Sequence, residues 1–477
     1  MTSLKFGTSG LRGLSSELAG RPAADYALAF ANYLAGASLI PPGAEFLIGR
    51  DLRGSSPVIS SICCAALHGA GFTVLDCGAL PTPALALESM ARGAASLMVT
   101  GSHIPADRNG IKFYRPDGEI GKGDEEEISR FYEILSSRAV PEGRDVPQAV
   151  TIGRKAEERF AARNTAILPA NSLKNMTIGV YQHSTVARGL FISALESCGA
   201  QAVPLGWSDE FIPVDTEAVS AETVAKLQAW ASEHGLDAII SADGDGDRPL
   251  VADEKGMPLR GDLLGLMTAD FIGADFVVTP VTSNSGIEAA LKRRLERTKV
   301  GSPFVIAAMN EGIAAGAKRV LGFEANGGCL LGSDVVINGS VLKALPTRDS
   351  FLPILAVLGK AAASGLPLSH ISAGYALPSA LSDRLESFPV EASAALMAHL
   401  RASRENLSAF LAPIGLPASV SDIDGLRVAL ADGGVIHLRP SGNAPEMRCY
   451  VEAGTEVAAR TLMAQGLGLI SAWESAG

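Results

Sequence analysis

The chain has 477 residues, 47% of them apolar and 19% charged, with a net charge of −11. That length predicts three or four domains, and that apolar content is ample for buried cores, which excludes a disordered chain. The acidic balance excludes nucleic acid or an anionic membrane as the main partner, because each needs a basic face, although it leaves room for a local pocket that takes a small anion.

The opening stretch, MTSLKFGTSGLRG, lacks the apolar core of a secretory signal and carries Arg12 in a Gly-rich segment. No uninterrupted apolar run approaches the ~18 residues of a membrane helix. Six cysteines, at 63, 64, 77, 198, 329 and 449, form no CxxC pair and fit no zinc spacing. They read as small buried hydrophobes of a reduced compartment, so a cytoplasmic protein is expected.

Residues 46–78 predict strand, polar loop, helix, glycine, strand. Val58, Ile59, Ile62, Cys63, Ala66 and Leu67 fall on one helical face. TGSHIPADRNG (100–110) then sets Ser102 beside His103, and alone this fits an ordinary surface loop as well as a nucleophile. A polar, Pro-punctuated linker is expected at 136–150. Residues 176–207 repeat the first pattern, with Ile178 to Gly199 spaced much as Ile48 to Gly71.

SADGDGDRPL (241–250) is the most informative stretch. Asp243, Asp245 and Asp247 repel one another unless a cation sits among them, and the intervening glycines let the backbone curl inward. Oxygen-only ligands favour a hard ion, Mg²⁺ or Ca²⁺. Glu254 stands twelfth from Asp243, as in an EF-hand loop. However, Arg248 occupies the sixth position, where that loop needs glycine, and the flanks read as strands. An acidic turn without metal is the third reading.

Turn-rich 252–262 reads as a linker, and 275–295 as a weaker third copy of the repeat. GFEANGG (322–328) places Glu324 among small residues, where a carboxylate accepts from sugar hydroxyls or merely closes a turn. A linker is expected at 363–380. From 426 the pattern becomes two strand runs around ADGG, a loop and a third run, which predicts an antiparallel α+β domain. In LRPSGNAPEMRCY (438–450), Arg439 and Arg448 flank a turn holding Ser441, Gly442 and Asn443. Arginine forks, hydroxyl and amide donors and a glycine that admits backbone N–H groups suit a phosphate; solvated arginines around a turn are the plainer alternative.

The predicted fold class is therefore α/β: three related mixed α/β sandwich domains plus a C-terminal α+β domain with an antiparallel sheet. The expected boundaries are 1–140, 151–253, 254–366 and 371–477.

The Ser-His, DGDGDR, GFE and RPSG loops, in that order and one per domain, resemble the α-D-phosphohexomutases over nearly the whole chain, and among them the bacterial phosphomannomutases. The resemblance implies four domains around a central cleft and an isomerase that passes a phosphoryl group within mannose 6-phosphate and mannose 1-phosphate. It further implies a phosphoserine enzyme, a hexose 1,6-bisphosphate intermediate that doubles as activator, and one Mg²⁺ per chain. Residue by residue, it makes Ser102 the phosphate carrier, its phosphate meeting the Mg²⁺ held by Asp243, Asp245 and Asp247. Arg248 matches an arginine near the phosphoserine, Arg12 the arginine of the opening loop, and Lys112 a lysine facing the reacting oxygen. Either His103 or Lys112 handles the sugar proton. Glu324 and Asn326 match the sugar-hydroxyl loop, while Arg439, Ser441, Gly442, Asn443 and Arg448 match the grip on the non-reacting phosphate. Hexose phosphates are the implied partners, and monomer and dimer both stay open.

Three loops depart from the pattern. Ile104 replaces an Asn, Asn326 and Gly328 replace a Ser and a His, and residues 281–286 lack a lysine that some members carry. The metal and phosphate parts are intact, and the departures fall mainly on sugar recognition. Phosphoglucomutase and phosphoglucosamine mutase are the alternatives within the class. A non-catalytic sugar-phosphate sensor and a metal phosphatase lie outside it.

Overall fold

The computed structural model describes residues 3–7, 10–137, 150–441 and 445–474. Two compact units emerge, one of Met1–Val277 with Gly301–Ser372, the other of Val278–Val300 with Ala373–Gly477.

In the first unit, the apolar run Glu45–Arg50 pairs in parallel with Thr73–Ala79 and Ala95–Val99. Arg108–Arg115 adds antiparallel to Ala95–Val99, and Leu11–Leu14 antiparallel to Arg108–Arg115, so the sheet is mixed as expected. Helices Arg21–Gly36 and Ser56–Gly69 bury Phe30, Ile59, Cys63 and Leu67 in one cluster with Phe46, Ile48 and Phe113. Each Phe, Ile and Leu side chain among them contributes about 1.5–3 kcal/mol by leaving water. The expected helix face needs one correction. Val58 is 56% exposed, and the buried stripe runs through Ser56, Ile59, Ser60, Cys63, Cys64 and Leu67. The helix starts at Ser56 with Pro57 second, so Val58 lies in its first turn, one position short of that stripe.

The second sheet runs Gln201–Trp207, Thr177–His183, Ala238–Ala242, Pro249–Ala252, the first three parallel and the last antiparallel. This last hairpin makes DGDGDR a tight strand connection. A second hairpin, Val320–Phe323 against Cys329–Leu331, does the same for Glu324–Gly328. Leu345–Asp349 pairs antiparallel with Cys329–Leu331 and brings Arg348 alongside. The apolar helix Phe351–Ser364 is buried almost throughout. Among the described residues no single helix is long and apolar enough to cross a membrane.

The second unit holds an all-antiparallel sheet in the order Ser379–Glu386, Glu446–Ala453, Val435–Pro440, Leu426–Leu430, Pro417–Ser421. Strand alternation sends Val428, Ile436, Leu438, Cys449 and Val451 into a core with Leu396, Leu400, Leu407 and Ile470. Arg427, His437, Arg439, Arg448 and Tyr450 alternate with them and take the other face. The third repeat copy proves truncated: its helix is only Ile287–Leu291, ended by Lys292 in the left-handed region, and strand Arg294–Thr298 follows. The linker expected at 363–380 carries a helix, Leu368–Gly374, and its last residues open strand Ser379–Glu386. The linker expected at 136–150 falls mostly outside the described residues. All six cysteines are free and buried.

Candidate active site

The aspartate loop closes on itself. Asp243 N–H donates to Arg248 C=O (3.1 Å), and Asp243 Oδ1 accepts the N–H groups of Asp247 (3.2 Å) and Arg248 (3.1 Å). Gly246 takes φ +71°, which a side chain would resist. The three carboxylates are fully buried, with ligand atoms within 4.8 Å of one another. Asp245 Oδ1 and Asp247 Oδ1 are buried without a hydrogen-bond partner. Orphaned carboxylate oxygens are costly, and a hard cation would satisfy both, so the donor set fits Mg²⁺. The EF-hand alternative falls: strands flank the loop, and Glu254 instead accepts from Ser369 N–H (3.1 Å). Burial, then the charges of Asp245 and Asp247, push the Asp243 carboxyl well above the usual range. Burial acts on Asp247 in the same sense. There Arg348, Lys112 and Arg248 outweigh it and hold the carboxyl below its ordinary value.

The serine loop faces this cluster. Ser102 is fully buried at φ +57°, a left-handed conformation that a non-glycine residue adopts only when its surroundings impose it. Arg53 imposes it by donating to four backbone carbonyls, Ser102 (3.0 Å), Ile104 (2.6 Å), Pro105 (2.6 Å) and Arg108 (3.1 Å). Asp51 anchors Arg53 and accepts Thr100 Oγ1 (2.8 Å). The loop thus uses position 104 through its backbone, which accounts for Ile104 in place of Asn. Sequence reasoning passed over Asp51 and Arg53, although RDLRG directly after a strand was the available signal. Ser102 Oγ donates to Asp243 Oδ2 and lies 3.3 Å from His103 Nδ1. Arg248 Nη1 donates to the same Nδ1 (2.9 Å). A guanidinium only donates, so His103 is neutral there, with its proton on Nε2. Burial, then Arg248 and Arg12, set its pKa well below the ordinary histidine value.

Lys112 Nζ bridges Asp245 Oδ2 (2.6 Å) and Asp247 Oδ2. Arg12 pairs with Gly110 across strands, and its Nη2 is buried without a hydrogen-bond partner. Burial, then Arg248 and Arg348, lower its pKa to about 10. Glu324 is buried, and its Oε2 accepts Arg348 Nη1 (3.0 Å). Arg348 also donates to Asp247 Oδ2 (3.0 Å) and Ser302 Oγ (3.2 Å). Nothing in the sequence marked Arg348, which no motif contains. Asn326 Oδ1 accepts Gly328 N–H (3.0 Å), and Asn326 C=O accepts Thr216 Oγ1 (2.9 Å), so its amide oxygen shapes the loop. Within the first unit, hydrogen bonds therefore join Ser102, His103, Lys112, the three aspartates, Arg248 and, through Arg348, Glu324 into one network, with Arg12 acting on it by its charge alone.

In the second unit, Arg439, Arg448 and Arg384 stand opposite one another across three neighbouring strands. Directly opposed residues share a face, so three guanidinium groups line up there, Arg384 beside Glu386 (3.0 Å) and Arg448 beside Glu446 (3.7 Å). Arg439 pairs with Asp424 (3.0 Å), and Ser441 N–H donates to Glu446 C=O (3.0 Å). Gly442 and Asn443 lie outside the described residues. Arg384 was missed because its strand reads as plain alternation. In the lysine-free loop 281–286, Arg297 donates to the carbonyls of Ser283 (2.6 Å) and Asn284 (2.8 Å).

Family models match in four blocks: phosphoglucomutase/phosphomannomutase α/β/α domain I at 3–138, domain II at 158–256, domain III at 261–376 and the C-terminal domain at 385–466. A phosphomannomutase of Sinorhizobium fredii is 53% identical over 467 residues, 98% of each chain. A phosphomannomutase of Salmonella muenchen is 42% identical over 460 residues, 95% of this chain and 92% of its own. The crystal structure of a phosphoglucomutase/phosphomannomutase family protein from Burkholderia thailandensis superposes with a TM-score of 0.75 at 19% identity, covering 98% of this chain and 97% of the other.

Proposed function

The chain belongs to the phosphoglucomutase/phosphomannomutase family, and from that premise we propose that it interconverts mannose 6-phosphate and mannose 1-phosphate through a phosphoserine at Ser102 and a hexose 1,6-bisphosphate. One observation carries the reading: Ser102 Oγ is hydrogen-bonded to Asp243 within a buried cluster of three aspartates. The 53% identity to a phosphomannomutase favours mannose over the glucose and glucosamine alternatives. An intact serine and aspartate loop argues against a mere sensor.

Asp243, Asp245, Asp247 and the phosphate on Ser102 would hold Mg²⁺, which supplies charge neutralisation at the phosphoryl group. The chain's own residues do the rest. Arg12, Arg248 and Lys112 add positive field in a buried, low-dielectric site. His103, held at Nδ1 by Arg248 (2.9 Å), and Lys112 both stand at the serine and aspartate loops, and either one would handle the proton of the sugar hydroxyl. Glu324 and Asn326 meet the sugar, and Arg439, Ser441, Gly442, Asn443 and Arg448 grip the non-reacting phosphate at either end of it. We assign these loops to four domains, 1–140, 151–253, 254–366 and 371–477. The substrates are free hexose phosphates, the bisphosphate serves as activator, and six buried thiols fit a cytoplasmic setting.

Mass spectrometry of protein incubated with glucose 1,6-bisphosphate, joined to a coupled assay on mannose 1-phosphate, tests the proposal. A phosphate mapping to Ser102 and Mg²⁺-dependent formation of mannose 6-phosphate are expected. An unmodified Ser102 in an active protein, or turnover of glucosamine 1-phosphate alone, overturns it.

A further inference from the structure

Arg348 lies 1% exposed between two parts of the site. Its Nε holds Asp247 Oδ2 (3.0 Å) and its Nη1 holds Glu324 Oε2 (3.0 Å), so a single rigid fork ties the aspartate loop to the GFEANGG loop. Ser302 Oγ sits 3.2 Å from Nη1, and Ser302 in turn donates to Glu119 (2.6 Å). The guanidinium is thus fixed on several sides. Its stem lies flat on Gly328. A Cβ at 328 would come within 2.7 Å of Arg348 Cδ and 2.8 Å of Cγ, the stem of the side chain and not its flexible end. A side chain at 328 and this arginine placement exclude each other. The glycine and the arginine therefore form one device.

We propose that Arg348 is a positioning residue that fixes the Glu324 carboxylate and so sets how sharply the site discriminates among epimeric hexose 1-phosphates. The chemistry is direct. A carboxylate tethered through one oxygen presents the other in a fixed direction and accepts only from a hydroxyl on the matching side of the ring. An untethered glutamate has rotamers enough to follow a hydroxyl to either side, and it discriminates poorly. A site built to bond one hydroxyl penalises the epimer in which its polar group is left unpaired.

The inference rests on the mutase reading above, and its test separates the two. Binding of mannose, glucose and galactose 1-phosphates is measured calorimetrically on wild type, Arg348→Gln, Arg348→Lys and Gly328→Ala, with kcat/KM for mannose 1-phosphate and the thermal midpoint alongside. The expected result is a spread of affinities in wild type that contracts about tenfold in Arg348→Gln. Arg348→Lys, which keeps the charge but not the fork, should restore part of it. Gly328→Ala, which displaces the arginine without touching its charge, should reproduce the contraction. Wild type that does not convert mannose 1-phosphate sinks the mutase reading. Wild type that converts mannose 1-phosphate but binds the epimers equally, or folded variants whose spread stays within twofold of wild type, overturn the role of Arg348 alone. Should Arg348→Gln fail to fold, Gly328→Ala and Arg348→Lys decide the question.

Discussion

Asp51 and Arg53 form an ion pair with both side chains fully buried, Nε to Oδ2 3.2 Å, and through it the left-handed turn at Ser102 is held open toward the aspartate cluster. Gly101 lies so close that a Cβ there would come within 2.6 Å of the Arg53 guanidinium carbon. Arg53→Ala would strand a buried carboxylate and release four carbonyls at once. Breaking a buried pair from one side typically costs about 3–5 kcal/mol. Denaturant unfolding should show that loss, with turnover falling further than stability explains, because the serine turn relaxes. A loss under about 1 kcal/mol would mean the turn holds itself.

The sequence exposed the site where chemistry leaves a local pattern. Alternating Asp and Gly between two apolar runs, a Ser-His pair and an Arg-Pro-Ser-Gly turn each carry their meaning within ten residues. The strand alternation from Leu426 to Ala453 gave the antiparallel sheet in the same way. Arg53 and Arg348 stayed hidden for the opposite reason. Their hydrogen-bond partners lie up to 55 and 101 positions away along the chain, so their roles arise only when the chain folds. Val58 misled because it keeps helical spacing while sitting one position off the buried stripe.

Asp245 is the central carboxylate of the three. It also accepts Lys112 Nζ (2.6 Å) and Thr82 Oγ1 (2.5 Å). Asp245→Asn keeps the shape and the Thr82 bond but removes a charge from the cation site. Half-saturating Mg²⁺ should rise by more than about tenfold, both in turnover and in calorimetric titration with Mg²⁺ alone. An unchanged titration would show that the loop holds its metal without this residue.

Acid should weaken the fold through its buried histidines, of which His183 and His437 lie away from the serine loop. Burial, followed by an opposing bond to a backbone carbonyl, lowers His183 and His437 to about 4. Both stay neutral in the native chain, while in the unfolded chain they take up protons below about 6.5. The unfolded state therefore binds more protons between these values. Stability is full above pH 6.5 and falls by up to about 1.4 kcal/mol per pH unit per histidine until pH 4. His437→Gln retains a donor toward Asp424 C=O but does not titrate. Denaturation at pH 7 and pH 5 should show a smaller acid loss in this variant than in wild type. Equal losses would assign the acid sensitivity elsewhere.

Arg439 and Glu324 should fail differently when removed. Arg439 stands in a row of arginines, oriented by Asp424 at 3.0 Å, and a guanidinium fork fits any phosphate regardless of the sugar that carries it. Losing a charge-assisted contact typically costs about 1.5–3 kcal/mol, or roughly tenfold to a hundredfold in kcat/KM. Arg439→Ala should therefore harm mannose 1-phosphate and glucose 1-phosphate by similar factors. Glu324 is a carboxylate, which repels phosphate and accepts from hydroxyls, so its loss should fall unequally on sugars that differ in hydroxyl geometry. The measurement is kcat/KM for both sugar phosphates in Arg439→Ala and Glu324→Ala. A larger shift of sugar preference in Arg439→Ala than in Glu324→Ala would reverse the roles given to the two residues, because the arginine would then be reading the ring and the glutamate only supporting its loop.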